Sequence, residues 1–197
     1  MPPANGPGVG GHVRDRWGDG AGIPPGMAVL GIVGRSGSGK TTLIESLLPA
    51  LRAAGLRVST IKHSHHGVDL DPPGKDSRRH REAGAEEVLL ATADRWTLLR
   101  EEPDGLPPLP RLLARMTPVD LVLVEGFGRY PIPRLEVVRT GIRAGRNKRP
   151  LCLDDASILA VAADEPFQGW PGPWLPLAQP DRICGWIVAL ARGAGGT

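Results

Sequence analysis

The sequence predicts an α/β fold: a three-layer sandwich in which a mostly parallel, twisted sheet carries helices on both faces. Three observations carry that prediction. Strand-like and helix-like patterns alternate along most of the chain. A glycine-rich loop, Gly34-Arg35-Ser36-Gly37-Ser38-Gly39-Lys40-Thr41, joins the first apolar strand to the first amphipathic helix. A second strongly apolar strand, Asp120–Glu125, ends in an acid.

Taken in order, residues 1–26 are rich in Gly and Pro without a period, and read as a disordered tail. The folded domain is expected over 27–192, with 193–197 as a flexible C-terminus. Met27–Val33 is a short apolar run stopped by Gly34, the pattern of a buried strand. Thr41–Ala54 carries Leu43, Leu47, Leu48 and Leu51 at helical spacing, with Gly55 as its stop. Leu56–Ile61 reads as the second strand, and Lys75–Ala85 as a polar helix. Glu87–Thr92 and Trp96–Arg100 read as two strands, with Ala93–Arg95 as a hairpin turn. Pro103–Pro110 is a proline-rich connection. Leu109–Met116 is a helix candidate. Leu135–Arg139 and Ile158–Ala163 are further strands, the segment around Trp170–Trp174 is a loop, and Ile183–Ala191 is a closing amphipathic helix. No internal repeat is present.

Composition narrows the function classes. With 197 residues, one domain with a small appendage is expected. A hydrophobic content of 41% fits a globular chain and not wholesale disorder. A formal net charge of +3 is too small to imply nucleic-acid binding, yet suits a phosphorylated ligand. Cys152 and Cys184 stand far apart without partners at metal-ligand spacing, and read as reduced, buried thiols. No apolar run is long enough to cross a bilayer, and no signal-peptide core is evident, so a cytoplasmic protein without a membrane partner is expected.

The loop carries the chemistry. Gly34, Gly39, Lys40 and Thr41 satisfy G-x-x-x-x-G-K-[ST] between a strand and a helix, as a P-loop NTPase requires. Its glycines let backbone N–H groups from Gly34 through Thr42, including those of Ser36, Gly37 and Ser38, turn toward an anion. The helix N-terminus adds a positive dipole end. Lys40 reaches terminal phosphates, and the Thr41 hydroxyl is a magnesium ligand. The bland alternative is a turn that merely joins a strand to a helix. Glu125 is the candidate second magnesium ligand, because it ends a strand where parallel sheets present ligand-binding residues. A capping or surface acid is the alternative. Asp120 begins the same strand, at the wrong end of the sheet.

The segment from Lys62 to Ala85 begins at the end of the second strand and is dense in polar groups. Asp69 and Asp71 are candidates to hold magnesium-bound waters or to orient an attacking water. Lys75 and Arg81 are candidate phosphate contacts. Three readings compete: a metal site at His63, His65 and His66, whose spacing fits no standard zinc pattern; a solvated helix face at Arg78, Arg79 and Arg81; and a mobile lid.

With these residues in view, the chain resembles the MobB family, molybdopterin-guanine dinucleotide biosynthesis protein B. The blocks that carry the resemblance are GRSGSGKTTLIESLLPALRAAGLRVSTIKH, HHGVDLDPPGKDSRRHREAGA, DLVLVEGF and ILAVAAD, spanning about residues 28 to 191. The first block is shared by many nucleotide-binding proteins, and the second is far more specific. The resemblance implies binding of GTP with magnesium, slow hydrolysis, a homodimer, and assistance to the partner enzyme MobA, which joins GMP to molybdopterin. It places Gly37–Thr42 on the phosphates, Thr41 and Glu125 on the magnesium, and Asp69–Arg81 near the nucleotide or the pterin. Where the family has a lysine after Gly126-Phe127, this chain has Gly128-Arg129. Asn147-Lys148 lacks the aspartate of a guanine-reading N-K-x-D motif, since Pro150 stands there. Asp164, at the end of the strand Ile158–Ala163, is the candidate acceptor for the guanine edge instead. Two other functions fit the same residues. A small-molecule kinase would use Lys40 with Asp69 or Asp71 as base. A metal-delivery GTPase would use the histidines.

Overall fold

The computed structural model describes residues 23–64, 71–128, 130–139, 149–166 and 169–193. The expected tail thus lies almost wholly outside the described residues, as do Asp69, His65, His66, Arg129 and the Asn147-Lys148 pair. The chain divides into two compact units, with Ser64–Pro108 forming the smaller and the segments on either side of it the larger.

The larger unit is built on a six-stranded sheet. Its strands are β1 (Ala28–Val33), β2 (Val58–Lys62), β5 (Leu121–Glu125), β6 (Arg134–Val138), β7 (Ile158–Ala163) and β8 (Trp174–Pro176). Their order is β2-β5-β1-β6-β7-β8, and every pairing is parallel. Leu121 through Val124 are all buried, as are Val29, Leu30 and Ile32. Side chains alternate across a strand, so runs of this kind require cover on both faces of the sheet. The helices are α1 (Lys40–Ala53), α3 (Leu109–Leu113) and α4 (Pro180–Ala191). α1 buries Leu43, Ile44, Leu47 and Leu51, and α4 buries Ile183, Cys184, Ile187 and Leu190. These stripes meet where α1 packs on α4. Each fully buried leucine or isoleucine contributes roughly 1.5–3 kcal/mol relative to exposure. The core also takes in Ile23, on the amino side of β1.

Element ends differ from the sequence reading in instructive ways. α1 closes with Gly55 N–H donating to Arg52 O at 2.9 Å and Leu56 N–H to Leu51 O at 3.1 Å. This paired closure consumes Leu56, so β2 starts two residues later than expected. α4 begins at Pro180, three residues before its apolar stripe, because proline suits the first helical position. β8 lies at the end of the stretch taken as a loop; its three residues are too few to show a period. Both cysteines are buried and free, as expected.

The smaller unit holds α2 (Asp76–Glu82) and an antiparallel pair, β3 (Glu87–Ala91) and β4 (Trp96–Arg100). α2 packs against β3. Val88 is the buried member of the pair and stands opposite Leu99. On the other face, Leu89 stands opposite Leu98 and Ala91 opposite Trp96. Leu89, Leu98 and Trp96 are all exposed there.

Candidate functional site

Because the sheet is parallel, the carboxyl ends of its strands line one edge, and the sequence concentrates its chemistry there. Val33, the last residue of β1, leads into the phosphate loop. Gly34 has φ 143°, and a Cβ on it would lie 2.5 Å from Val137 O and 2.8 Å from Ser38 Oγ. Only glycine lets β1 turn away at this point while β6 passes so close. The loop covers Ser36, Gly37 and Ser38, and Gly39 caps α1 in the left-handed region with φ 91°. Among the described residues no side chain caps the first turn of α1. Its leading N–H groups are therefore left for an anion, at the positive end of the helix. Ser38 is buried, and its hydroxyl has no hydrogen-bond partner among the described residues. Lys40 folds back over the loop, its ammonium donating to Gly34 O at 3.1 Å and Arg35 O at 3.0 Å. Thr42 is exposed in the first turn.

Thr41 and Glu125 are brought together from opposite ends of the sequence. Strand register sets Glu125 beside Ile32 of β1 and Lys62 of β2. The Thr41 hydroxyl lies 3.2 Å from each Glu125 carboxylate oxygen. Lys62, missed by the sequence reading, donates to Thr41 Oγ1 at 3.2 Å and stands 3.5 Å from Glu125 Oε2. The Lys62 ammonium puts a positive charge beside these oxygens. Hydroxyl and carboxylate are the hard oxygen donors magnesium prefers, so the residues present fit that ion. The turn after Glu125 is tight. Gly126 has φ 100°, and a Cβ there would fall 2.8 Å from His63 Cβ. His63 N–H donates to Glu125 O at 2.8 Å, and its ring sits 5.4 Å from the Phe127 ring. Asp120 lies at the opposite edge of the sheet, accepting from Arg57 N–H at 2.7 Å. That bond and the Arg57 guanidinium hold its carboxyl below the usual range.

A cavity of about 390 Å³ adjoins Lys40 and Gly34, and is walled on its far side by Arg134, Asp154 and Asp155. Arg134 is buried and donates to Asp155 at 2.5 Å and to Tyr130 O. Burial works against the Asp155 carboxylate, but bonds from Ser157 and Arg134 outweigh it and hold its pKa low. Glu136 is buried, and accepts from the N–H groups of Leu151 and Cys152 at 2.8 Å each. Burial, with the Glu136 charge, pushes the Cys152 thiol up to about 12, so it is no nucleophile. Arg139 is exposed one residue past β6, and its guanidinium lies over Gly39. Asp164 is exposed just past β7.

The other predicted residues belong to the smaller unit. Asp71 is buried, accepting from Ser77 Oγ at 2.5 Å and Arg81 Nε at 3.1 Å. The Ser77 bond, with Arg81 and Arg78, holds its carboxyl below the ordinary value despite burial. A carboxylate so engaged is a weak base, and its contacts position Arg81, which also bonds Glu101. Lys75 is exposed at the start of α2. Among the described residues no group of three His, Cys, Asp or Glu side chains is placed to hold a metal.

A parallel sheet in this order, with the loop between β1 and α1 and the acid ending the adjacent strand, defines a P-loop NTPase fold. The comparisons agree. The profile of the family described as molybdopterin guanine dinucleotide synthesis protein B, MobB, matches residues 29–164, and the chain belongs to that family. It is 46% identical over 144 residues to the molybdopterin-guanine dinucleotide biosynthesis adapter protein of Haemophilus influenzae, covering 72% of this chain and 78% of that one. The Escherichia coli adapter protein is 43% identical over 144 residues, covering 72% and 81%. Among solved structures, a MobB protein homolog from Bacillus stearothermophilus is 29% identical with a TM-score of 0.61, over 83% of this chain and 97% of that one.

Proposed function

We propose that this chain is a GTP-binding adapter in the biosynthesis of molybdopterin guanine dinucleotide. In this reading it holds GTP with magnesium, hydrolyses it slowly, and assists a MobA-type nucleotidyltransferase in the cytoplasm as a homodimer. The observation that carries the reading is the meeting of Thr41 and Glu125, 3.2 Å apart, beside the uncapped start of α1. The two bacterial relatives, both molybdopterin-guanine dinucleotide biosynthesis adapter proteins, support the pathway.

The residues divide the work by position. N–H groups from Gly34 to Thr42 receive the phosphate oxygens, and Lys40 exchanges its carbonyl partners for the terminal phosphates. Thr41 and Glu125 would hold magnesium, which neutralises phosphate charge and raises the reactivity of the terminal phosphorus. Lys62 lies 3.5 Å from Glu125 and balances its charge before the ion arrives. Asp164, past β7, accepts from the guanine edge. Within the smaller unit Asp71 fixes Arg81, and Arg81 and Lys75 are that unit's candidate phosphate contacts. A homodimer is favoured by the apolar outer face of β3–β4, where Leu89, Leu98 and Trp96 are exposed side by side. No helix among the described residues is long and apolar enough to cross a membrane.

Calorimetric titration of the wild type and of Lys40→Ala with magnesium GTP and ATP tests the reading. GTP is expected to bind more tightly than ATP, and Lys40→Ala to weaken GTP roughly a hundredfold, because a charged contact to phosphate is lost. Equal affinity for both nucleotides sinks the guanine assignment, and an unaffected Lys40 variant sinks the phosphate-loop reading. Capture of a MobA-type enzyme that strengthens with GTP tests the adapter role. A phosphoryl acceptor in the cavity beside Lys40 is the alternative the geometry favours; turnover with ATP that depends on an added alcohol would move the assignment there.

A further inference from the structure

We infer that Arg139 is a second phosphate-binding cation, gripping the polyphosphate from the flank of the loop opposite to Glu125; the inference rests on the phosphate-loop reading and deepens it.

The sheet order makes the flank specific. β1 lies between β5 and β6, so Glu125 leaves the carboxyl edge on one side of the loop and Arg139 on the other. The Arg139 guanidinium covers Gly39 closely: a Cβ on Gly39 would lie 3.2 Å from Nε and 3.4 Å from Nη2. No side chain therefore stands between this cation and the loop. Its placement is electrostatically odd without an anion. A guanidinium at the positive end of α1, in the company of Lys40, is repelled by both. Among the described residues Arg139 has no ion-pair or hydrogen-bond partner. The loop beside it also holds the buried Ser38 hydroxyl, again without a partner among the described residues. A cation and a hydroxyl left open around a ring of N–H groups match the oxygens of one polyphosphate. The planar fork of an arginine can engage two phosphate oxygens at once.

The position along the loop fixes which phosphates are involved. Lys40 folds toward Gly34 and Arg35, at the terminal-phosphate end. Arg139 sits at Gly39, where α1 begins and where N–H groups meet the phosphates nearer the nucleoside. Its contribution is therefore common to nucleoside diphosphates and triphosphates. Sequence patterning hides this role, because the residue reads as the last position of a strand and its relation to Gly39 depends on which strand lies next to β1.

The test uses the full chain as wild type, Arg139→Ala, Arg139→Lys and Lys40→Ala, titrated calorimetrically with magnesium GTP and magnesium GDP at two ionic strengths. Arg139→Ala is expected to weaken both nucleotides about ten- to a hundredfold. Its affinity should also depend less steeply on salt than the wild type's, a change that a merely structural residue would not produce. Arg139→Lys should fall between, keeping charge but losing the fork. The nucleotide-free Tm of Arg139→Ala should match the wild type, since the side chain is exposed. Unchanged affinity in Arg139→Ala, with Lys40→Ala still impaired, overturns the role of Arg139 and leaves the loop standing. A loss confined to GTP overturns the placement at the inner phosphates. A wild type that binds neither nucleotide overturns the loop reading, and this inference with it.

Discussion

Glu125 shares its carboxylate between a hydroxyl and an ammonium. Both oxygens lie 3.2 Å from Thr41 Oγ1, and Lys62 stands 3.5 Å away. Charge is what the arrangement needs from Glu125, because an amide of the same shape accepts from Thr41 but lacks the negative charge that draws a divalent ion. Glu125→Gln should therefore keep its fold and weaken magnesium GTP about tenfold, as loss of one charged contact implies. The magnesium concentration needed for half-maximal binding should rise, while binding in excess chelator changes little. Calorimetry across a magnesium series reads both quantities, and an unaltered metal dependence would exclude Glu125 as a ligand. Lys40, Thr41 and Glu125 were legible in the sequence because each is fixed by local pattern: a loop spacing or the end of an apolar run. Lys62 and Arg139 were not, although one ends β2 and the other directly follows β6. Their relevance comes from lying beside β5 and β1, and adjacency of strands is decided by packing, not by local pattern.

Elements in this protein hold their functional groups through a few polar anchors set against apolar packing. α2 is the clearest instance. Its Ser77 and Arg81 both close on Asp71, which precedes the helix and is buried. The Ser77 bond first, with the Arg81 and Arg78 charges, holds the Asp71 carboxyl below its ordinary value of 3.8. A carboxylate whose pKa is lowered on folding adds stability above the unfolded value, and loses it as pH falls through 3.8 toward the folded value. Asp71→Asn should thus lower the Tm at neutral pH, with the gap to the wild type closing as the solution is acidified below about 4. Thermal melts from pH 7 to pH 3 measure this, and a gap independent of pH would show that the charge of Asp71 does not matter. The helices and strands with long apolar stripes were readable from the sequence to within a few residues. β8 was not, because three residues of Trp-Leu-Pro among prolines carry no period, and only pairing with β7 makes them a strand.

The whole chain divides into two units, of which the sequence showed the β3–β4 hairpin but not its separation from the main sheet. A single alternation of strands and helices reads as one sheet, yet β3 and β4 pair only with each other. Two strands with one helix bury little: Val88 is the one buried residue of the pair, while Leu89, Leu98 and Trp96 remain exposed on a common face. A two-stranded sheet in water is marginal by itself, and an apolar face this continuous calls for a partner surface. In the proposed homodimer the same face of a second copy meets it, since a twofold interface is self-complementary. Exchanging Leu89 and Trp96, 59% and 65% exposed, for glutamate should then separate the copies without unfolding either, because neither side chain supports its own unit's core. Light scattering after size-exclusion chromatography should show the mass of two chains for the wild type and of one for Leu89→Glu/Trp96→Glu, with unchanged far-ultraviolet circular dichroism. Dimers that persist in the variant would place the interface elsewhere, and a wild type of single-chain mass at micromolar concentration would remove the dimer from the proposed function. If the copies separate while GTP affinity is retained, each phosphate loop is complete within one chain, as the meeting of Thr41, Lys62 and Glu125 inside the larger unit leads one to expect.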